Sequence, residues 1–447
     1  MIDWDVAVAT GVRWTRPGPQ VSLAEARRTV AELREFAAAV QEPVREVTGL
    51  VSPETAGPIA VVDRPGWIRA NVDGFRVVLE PLVDQLQHRP GAWPGADSML
   101  GTVGSRVTGI QMGLILAFLA GRVLGQYELF LPPDLAAAAA NGSSAEPGSS
   151  QDPAEPAAEA PRTSAAHTAA VDIGARQGSA PAGRLTLVAP NIVMVERELG
   201  VKSRDFRLWV CLHEETHRTQ FTAVSWLRGY VQGQISEFLL ASDLDPGAVL
   251  ERLRAAADVV TGAVRGGAGG ESIIEAIQTP RQRPILDRLT AVMTLVEGHG
   301  DYVMDAAGPQ VVPSAEEIRA RFAARRHSVG RVEQVLRRLL GIDLKMKQYA
   351  EGGRFVRSVI SDVGMAGFNK VWTSPQTLPT RMEITHPRAW VDRVIGTGGA
   401  AAANEKPRGP ADSSPGGSPD ASPGSADGPS GASPGGSPGA DGFDGKG

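Results

Sequence analysis

A single cysteine, Cys211, is the only thiol in this chain of 447 residues. One cysteine excludes an internal disulfide and suits a reducing, cytoplasmic setting. It sits two residues before His213 on a different helix face, so it reads as a small buried side chain rather than a ligand. A basic surplus is missing too: the formal net charge is −5 and the pI near 5.9, so nothing recruits nucleic acid. The arginines Arg325, Arg326, Arg337 and Arg338 fall at helix-surface spacing and read as a solvated face. The opening Met1-Ile-Asp-Trp-Asp5 is acidic where a secretory signal is basic, and no early apolar run follows. The most apolar stretch, Gly109 to Ala120, is too short to span a bilayer and is closely followed by Arg122. It is expected to be a buried helix of a soluble protein, with no membrane span.

Phosphate-binding signatures are also lacking. Gly266-Gly-Ala-Gly-Gly270 has neither the flanking strand nor the Lys-Ser/Thr of a P-loop and reads as a flexible helix connection. No internal repeat of solenoid period is visible. Two stretches lack large apolar side chains: residues 135–183, rich in Ala, Ser, Gly and Pro, and the Gly/Ser/Pro-rich residues 397–447. Neither can bury a core, so both are expected to be disordered, the first as a loop extruded from a single domain made of residues 1–134 and 184–396.

What remains is mostly helical pattern. Ser22-Leu-Ala-Glu25 is a capping box, continued by an apolar stripe from Leu23 to Val40. Further helical patterns cover Asn71–Gln87, Gly101–Leu129, Asp205–Ala241, Pro246–Val264, Ser272–Gln278, Pro284–Ala307, Ser314–Ala324, Arg331–Leu340, Lys345–Val363 and Arg388–Val394. Strand candidates are few: Ile59–Val62 and Leu185–Val188. The expected fold class is mainly α with at most a small sheet.

The chemistry concentrates in His213-Glu214-Glu215-Thr216-His217. On a helix, residues four apart share a face, so two imidazoles can hold one ion at about 2.0–2.1 Å. Glu214 then lies beside the metal, placed to take a proton from a zinc-bound water. Two histidines without a metal would each need another partner. A catalytic zinc also needs a third protein ligand, with water in the fourth position. Glu297 and Asp301, four apart in Leu295-Val-Glu-Gly-His-Gly-Asp-Tyr302, suit a Glu ligand and an Asp that accepts the second N–H of a liganding histidine. His299 is the rival ligand, but two residues from Glu297 is about 160° or more around a helix, so both cannot easily face one ion. Gly298 and Gly300 permit close approach of another backbone. Tyr302, His299 and His327 are candidate donors to an oxyanion.

Over almost all of the chain outside the two low-complexity stretches, the sequence resembles the zincin-like metallopeptidase family, whose members are often labelled as associated with deazaflavin-coenzyme biosynthesis. The resemblance rests on Asp63-Arg-Pro-Gly-Trp-Ile-Arg-Ala-Asn71, Leu124-Gly-Gln-Tyr-Glu-Leu-Phe130, Val188-Ala-Pro-Asn-Ile192, Asp205 to Phe221, Glu297-Gly-His-Gly-Asp-Tyr-Val-Met-Asp305 and Lys345 to Phe355. Ser225 departs from it, standing where a proline is expected. The resemblance implies a zincin-like, mainly helical fold, with His213 and His217 as zinc ligands and Glu214 as the catalytic carboxylate.

The reading reached from sequence is a zinc-dependent hydrolase, a metallopeptidase acting on a peptide or protein substrate. The alternative is a zinc-stabilised binding or scaffold protein that no longer turns over, against which an intact Glu214 argues. A deazaflavin-linked enzyme is a third reading, for which no dinucleotide fingerprint is present. Oligomeric state is left open.

Overall fold

Short polar side chains start the first two helices. The Asp3 carboxylate accepts the Val6 N–H at 3.0 Å to begin α1 (Trp4–Trp14), and Ser22 Oγ accepts the Glu25 N–H at 3.1 Å to begin α2 (Leu23–Ala39). Each bond satisfies an N–H that a helix start leaves open. α3 (Gln41–Thr48) stops where Gly49 takes a left-handed φ of 66°. This computed structural model of the protein describes residues 2–53, 57–87, 99–135, 183–241, 279–327 and 342–396. The order continues β1 (Ile59–Val62), α4 (Arg64–Gln87), α5 (Met99–Ala120), β2 (Gly125–Glu128), β3 (Arg184–Val188), α6 (Ala189–Leu199), α7 (Ser203–Ala223), α8 (Leu227–Leu240), α9 (Gln282–Val311), α10 (Ala315–His327), α11 (Ile342–Phe368), α12 (Arg381–Thr385) and α13 (Pro387–Val394). The protein is mainly helical with one small sheet, as its sequence pattern indicates.

The three strands lie in the order β1-β3-β2, with β1 parallel and β2 antiparallel to β3. Leu185, Thr186, Leu187 and Val188 are all fully buried, as a central strand covered on both faces requires. β2 corrects the expectation of one helix over Gly101–Leu129. The helix ends at Ala120, where Asn191 Nδ2 donates to the Ala120 and Val123 carbonyls at 2.7 and 2.6 Å, and the chain then extends. The single helix expected over Asp205–Ala241 is likewise two, broken by a turn at Ser225 and Trp226. α1, α3, α6 and α12 were not expected. The predicted helices 246–264, 272–278 and 331–340, the tail, and residues 136–182 of the insertion lie outside the described residues. The insertion's edges do not: Leu135 is helical, and Gly183 is buried and donates its N–H to the Tyr127 hydroxyl at 3.0 Å.

α5 is not the buried helix its composition suggests. It packs on α1 through its glycine side, Gly109 against the Asp3 carbonyl and Gly113 against Ala7 and Thr10, leaving no room for a Cβ at either position. Val103, Val107, Ile110, Leu114 and Ile115 then face outward and are exposed. Among the described residues it is the one helix long and apolar enough to cross a membrane by length and composition, with 22% of Val103–Ala120 buried.

Two apolar clusters meet along α7 and α9. One gathers Phe206, Leu208 and Leu212 of α7 with Val303, Met304 and Ala307 of α9. The other gathers Phe221 of α7 with Val292, Leu295 and Val296 of α9, together with Phe355 and Val359 of α11. The two helices therefore run antiparallel, and the middle turns of both fall between the clusters. α11 presses on α9 so closely that a Cβ on Gly298 would overlap the Gly352 backbone, and one on Gly352 would overlap the Thr294 carbonyl. Gly298→Ala should therefore cost about 1–3 kcal/mol or more through overpacking. Gly104→Ala, with nothing within 4 Å of the added carbon, should be neutral or stabilise by up to about 1 kcal/mol. Thermal unfolding of the two variants decides this, and equal midpoints would refute the close crossing.

Candidate metal centre

α7 has little solvent face: fifteen of its 21 residues are buried, and many of those are polar. Buried polar groups need partners inside the protein. Arg207 therefore clasps Glu196 through two bonds of 2.9 and 2.6 Å, Arg218 pairs with Glu215 at 3.1 Å, and Thr216 Oγ1 donates back to the Leu212 carbonyl at 2.8 Å. Phe206, Leu208 and Leu212 fix one end of the helix in apolar packing and Phe221 the other. His213 and His217 come to lie in the middle.

α9 delivers Glu297 to the same point. His217 Nε2 lies 3.1 Å from His213 Nε2 and 3.3 Å from Glu297 Oε2, and His213 Nε2 lies 3.7 Å from that oxygen. A tetrahedral ion at about 2.0–2.1 Å from each atom needs separations of about 3.3 Å. The three atoms thus form one face of a tetrahedron of the size zinc requires, from the two-nitrogen, one-oxygen donor set that zinc accepts. Among the described residues this is the one group of His, Cys, Asp and Glu drawn together in this way. Gly300 is part of the fit. A Cβ there would stand 3.5 Å from Cε1 of both histidines, so glycine leaves the rings in contact with bare backbone.

Glu214 is buried beside this group. Its carboxylate lies against Gly125 at the start of β2, where a Cβ would come within 2.7 Å of Glu214 Cγ and Cδ. Two residues on, Tyr127 stacks on Phe221 of α7 with ring centroids 5.7 Å apart. Alternate β2 residues thus face α7, while Gln126 turns the other way to accept the Trp67 indole N–H at 2.9 Å. His213 is the most open member of the cluster, with its side chain 27% exposed. Burial pushes Glu215, the other carboxylate of the motif, up to about 7 despite Arg218.

The remaining residues singled out in the sequence divide. Asp301 lies one turn beyond Glu297 and is half-buried, near Gly353 of α11. Tyr302 packs between the two apolar clusters. His327 ends α10, its side chain outside the described residues. His299 does not join the cluster, because two residues from Glu297 turn it about 200° around the helix. It is wholly buried, stacked on Phe368 at 5.3 Å and edge-on to Trp372 at 5.5 Å, and burial lowers its pKa to about 3.

Sequence reading missed Gln220 and Gly125. Gln220 is fully buried and contacts His217 Nδ1 at 3.0 Å through Oε1. Its three-residue spacing from His217 on one helix was a usable signal. Gly125 had none, because its neighbour arrives through the pairing of β2 with β3.

Without a metal the cluster favours a proton. Burial alone would lower the His217 pKa, but Glu297 beside it outweighs that, with Glu214 and Gln220 adding, and the pKa rises to about 9. A cation must displace that proton at any pH below this value. Zinc affinity should therefore rise about tenfold per pH unit between pH 7 and about 9, where the proton is lost anyway. Chelator competition across that range tests it, and a flat profile would show that no such proton is held.

Comparison with known proteins places the whole chain rather than the site. A solved structure from Chloroflexus aurantiacus, proposed to be a hydrolase with a novel fold, is similar to this chain with a TM-score of 0.57 and 26% identity, covering 89% of this chain and 100% of that one. None of the curated proteins is similar to it. Residues 2–391, a span that includes α7 and α9, match the zincin-like metallopeptidase family, and the chain belongs to that family.

Proposed function

We propose that the protein is a zinc-dependent hydrolase, and specifically a metallopeptidase acting on peptide or protein substrates in the cytoplasm. The observation that carries this reading is a carboxylate held beside a three-ligand cluster rather than within it. His213, His217 and Glu297 are the proposed ligands, and Glu214 is the proposed base. The family and the C. aurantiacus relative support hydrolysis as the reaction class.

Zinc, when bound, would supply Lewis acidity that polarises a scissile carbonyl and acidifies water. The chain's own residues do the rest. Glu214, buried against Gly125, can accept a proton from water and return it to a leaving amine. The exposed edge of His213 gives the otherwise buried cluster its opening. Asp301 follows Gly300, whose position lies near His213 Nδ1, and we assign it the second N–H of that histidine.

Glu214→Gln keeps the size of the side chain but not its basicity. It should reduce cleavage of a diverse peptide library by about 10²- to 10⁴-fold while zinc stays near one per chain. His213→Ala and Glu297→Ala should lose metal and activity together. Zinc-loaded wild type that cleaves nothing would favour a binding protein, and equal cleavage by wild type and Glu214→Gln would remove Glu214 as the base.

Gly125 provides a second test at the same site. Gly125→Ala must displace the Glu214 carboxylate, and a shift of about 1 Å in a reacting group can cost about 10²-fold in rate. Activity should fall by that order with zinc content unchanged. Unaltered turnover in a folded variant would show that the contact does not position Glu214.

A further inference from the structure

Gln220 is placed to do more than fill space. It lies three residues past His217 on α7, fully buried, and its side-chain amide has three partners. Oε1 meets His217 Nδ1 at 3.0 Å, and Nε2 meets both the Val296 carbonyl and His299 Nδ1 at 2.9 Å. The two ends of an amide are alike in shape, so its orientation follows from its partners.

One of those partners leaves no choice. Val296 offers a backbone carbonyl, which can only accept, so the amide end facing it must be the NH₂. The oxygen then faces His217, and because an amide oxygen also only accepts, His217 Nδ1 must carry the proton and donate it. A neutral imidazole protonated at Nδ1 has its lone pair on Nε2. That is the atom 3.1 Å from His213 Nε2 and 3.3 Å from Glu297 Oε2. The second hydrogen of the NH₂ goes to His299 Nδ1, which must be the acceptor nitrogen of that ring. His299 is held for this purpose between Phe368 and Trp372.

We propose that Gln220 is the positioning residue of the metal centre: anchored by the Val296 carbonyl and by His299, it locks His217 in the tautomer whose Nε2 binds the cation. Val296 immediately precedes Glu297. The same turn of α9 therefore supplies one proposed ligand directly and fixes the protonation of another through Gln220. This rests on the zinc-hydrolase reading of the cluster, and it gives His299 a role as an anchor rather than as a ligand.

The test uses the full chain and zinc alone. In ¹⁵N-labelled, zinc-loaded wild type, long-range ¹H–¹⁵N correlation should show His217 protonated at Nδ1 and metal-bound through Nε2. Gln220→Leu should weaken zinc by about 10- to 100-fold in chelator competition, the range for lost partners of metal-bound histidines. His299→Phe, which keeps an aromatic ring in the stack and removes both ring nitrogens, the acceptor among them, should weaken it less. Unfolding of the metal-free variants separates affinity from stability: a merely structural Gln220 would lower the metal-free midpoint and leave the zinc-dependent rise intact. Wild type that takes up no zinc sinks the metal reading and this proposal with it. Zinc bound through His217 Nδ1, or unchanged zinc affinity in Gln220→Leu, sinks the role of Gln220 alone.

Discussion

The antiparallel passage of α7 and α9 between two apolar clusters is the constraint on which the rest depends. Apolar packing at both ends of each helix fixes their mutual register. Apart from the exposed edge of His213, the polar turns in the middle are shielded from water, and each buried polar group left without a partner would cost about 1–3 kcal/mol. Pairing across the crossing is therefore obligatory. Gln220 reaching Val296 is one product of that requirement, and the meeting of His213, His217 and Glu297 is another. The crossing is close because side chains are missing from it: Gly298 admits the α11 backbone at Gly352, and Gly300 admits the two imidazoles. Alternate glycines on one helix thus serve opposite faces.

Around this crossing, buried ion pairs and clamps hold the layers that the helices do not reach. Arg64 donates to Asn191 Oδ1 and to the Arg16 and Pro17 carbonyls, each at 2.7 Å, while Asn191 holds the end of α5. Glu128 accepts from Arg184 at 2.8 Å and from Thr186 at 2.5 Å, tying β2 to β3. Charge-assisted bonds of this length fix orientation as well as distance. Their consequence at the site is the position of Gly125. A β2 shifted by one residue would present the opposite set of side chains to α7. The segments Asp63 to Asn71 and Val188 to Ile192 thus act at a distance, by setting the frame against which Glu214 rests.

Legibility from sequence followed the range of the interactions involved. Helices with a strong apolar period, such as α2 and α9, and the short β-rich strands β1 and β3 announce themselves locally. β2 did not, because Gly-Gln-Tyr-Glu has no strand signature of its own and is extended by its partner. The break at Ser225 and Trp226 was hidden for the same reason: Trp226 is held by an indole N–H bond of 2.9 Å to the Trp372 carbonyl, far along the chain. At the site, helical spacing was enough to pair His213 with His217 and to prefer Glu297 over His299 on a common face. It could not reveal that Gly125 abuts Glu214, since that contact exists only once the sheet has formed. α5 misled because apolar composition implies burial only when the apolar side is the one that packs.

Charge explains why the cluster is suited to a dication although a thiol lies close by in sequence. Cys211 binds metal only as the thiolate. Burial, followed by the nearby carboxylates of Glu214 and Glu215, pushes its pKa far up, and its Sγ points to the Leu33 carbonyl at 3.7 Å, away from the histidines. Glu214 and Glu297 place two carboxylates in a region too buried for water to screen them. Two neutral imidazoles do not offset that charge, whereas a divalent cation between His213, His217 and Glu297 does. The proton that the metal-free site holds on His217 is the partial substitute. Rings and carboxylates that converge on one point between two apolar clusters favour positive charge there, and this is what makes the group one that could hold a metal ion.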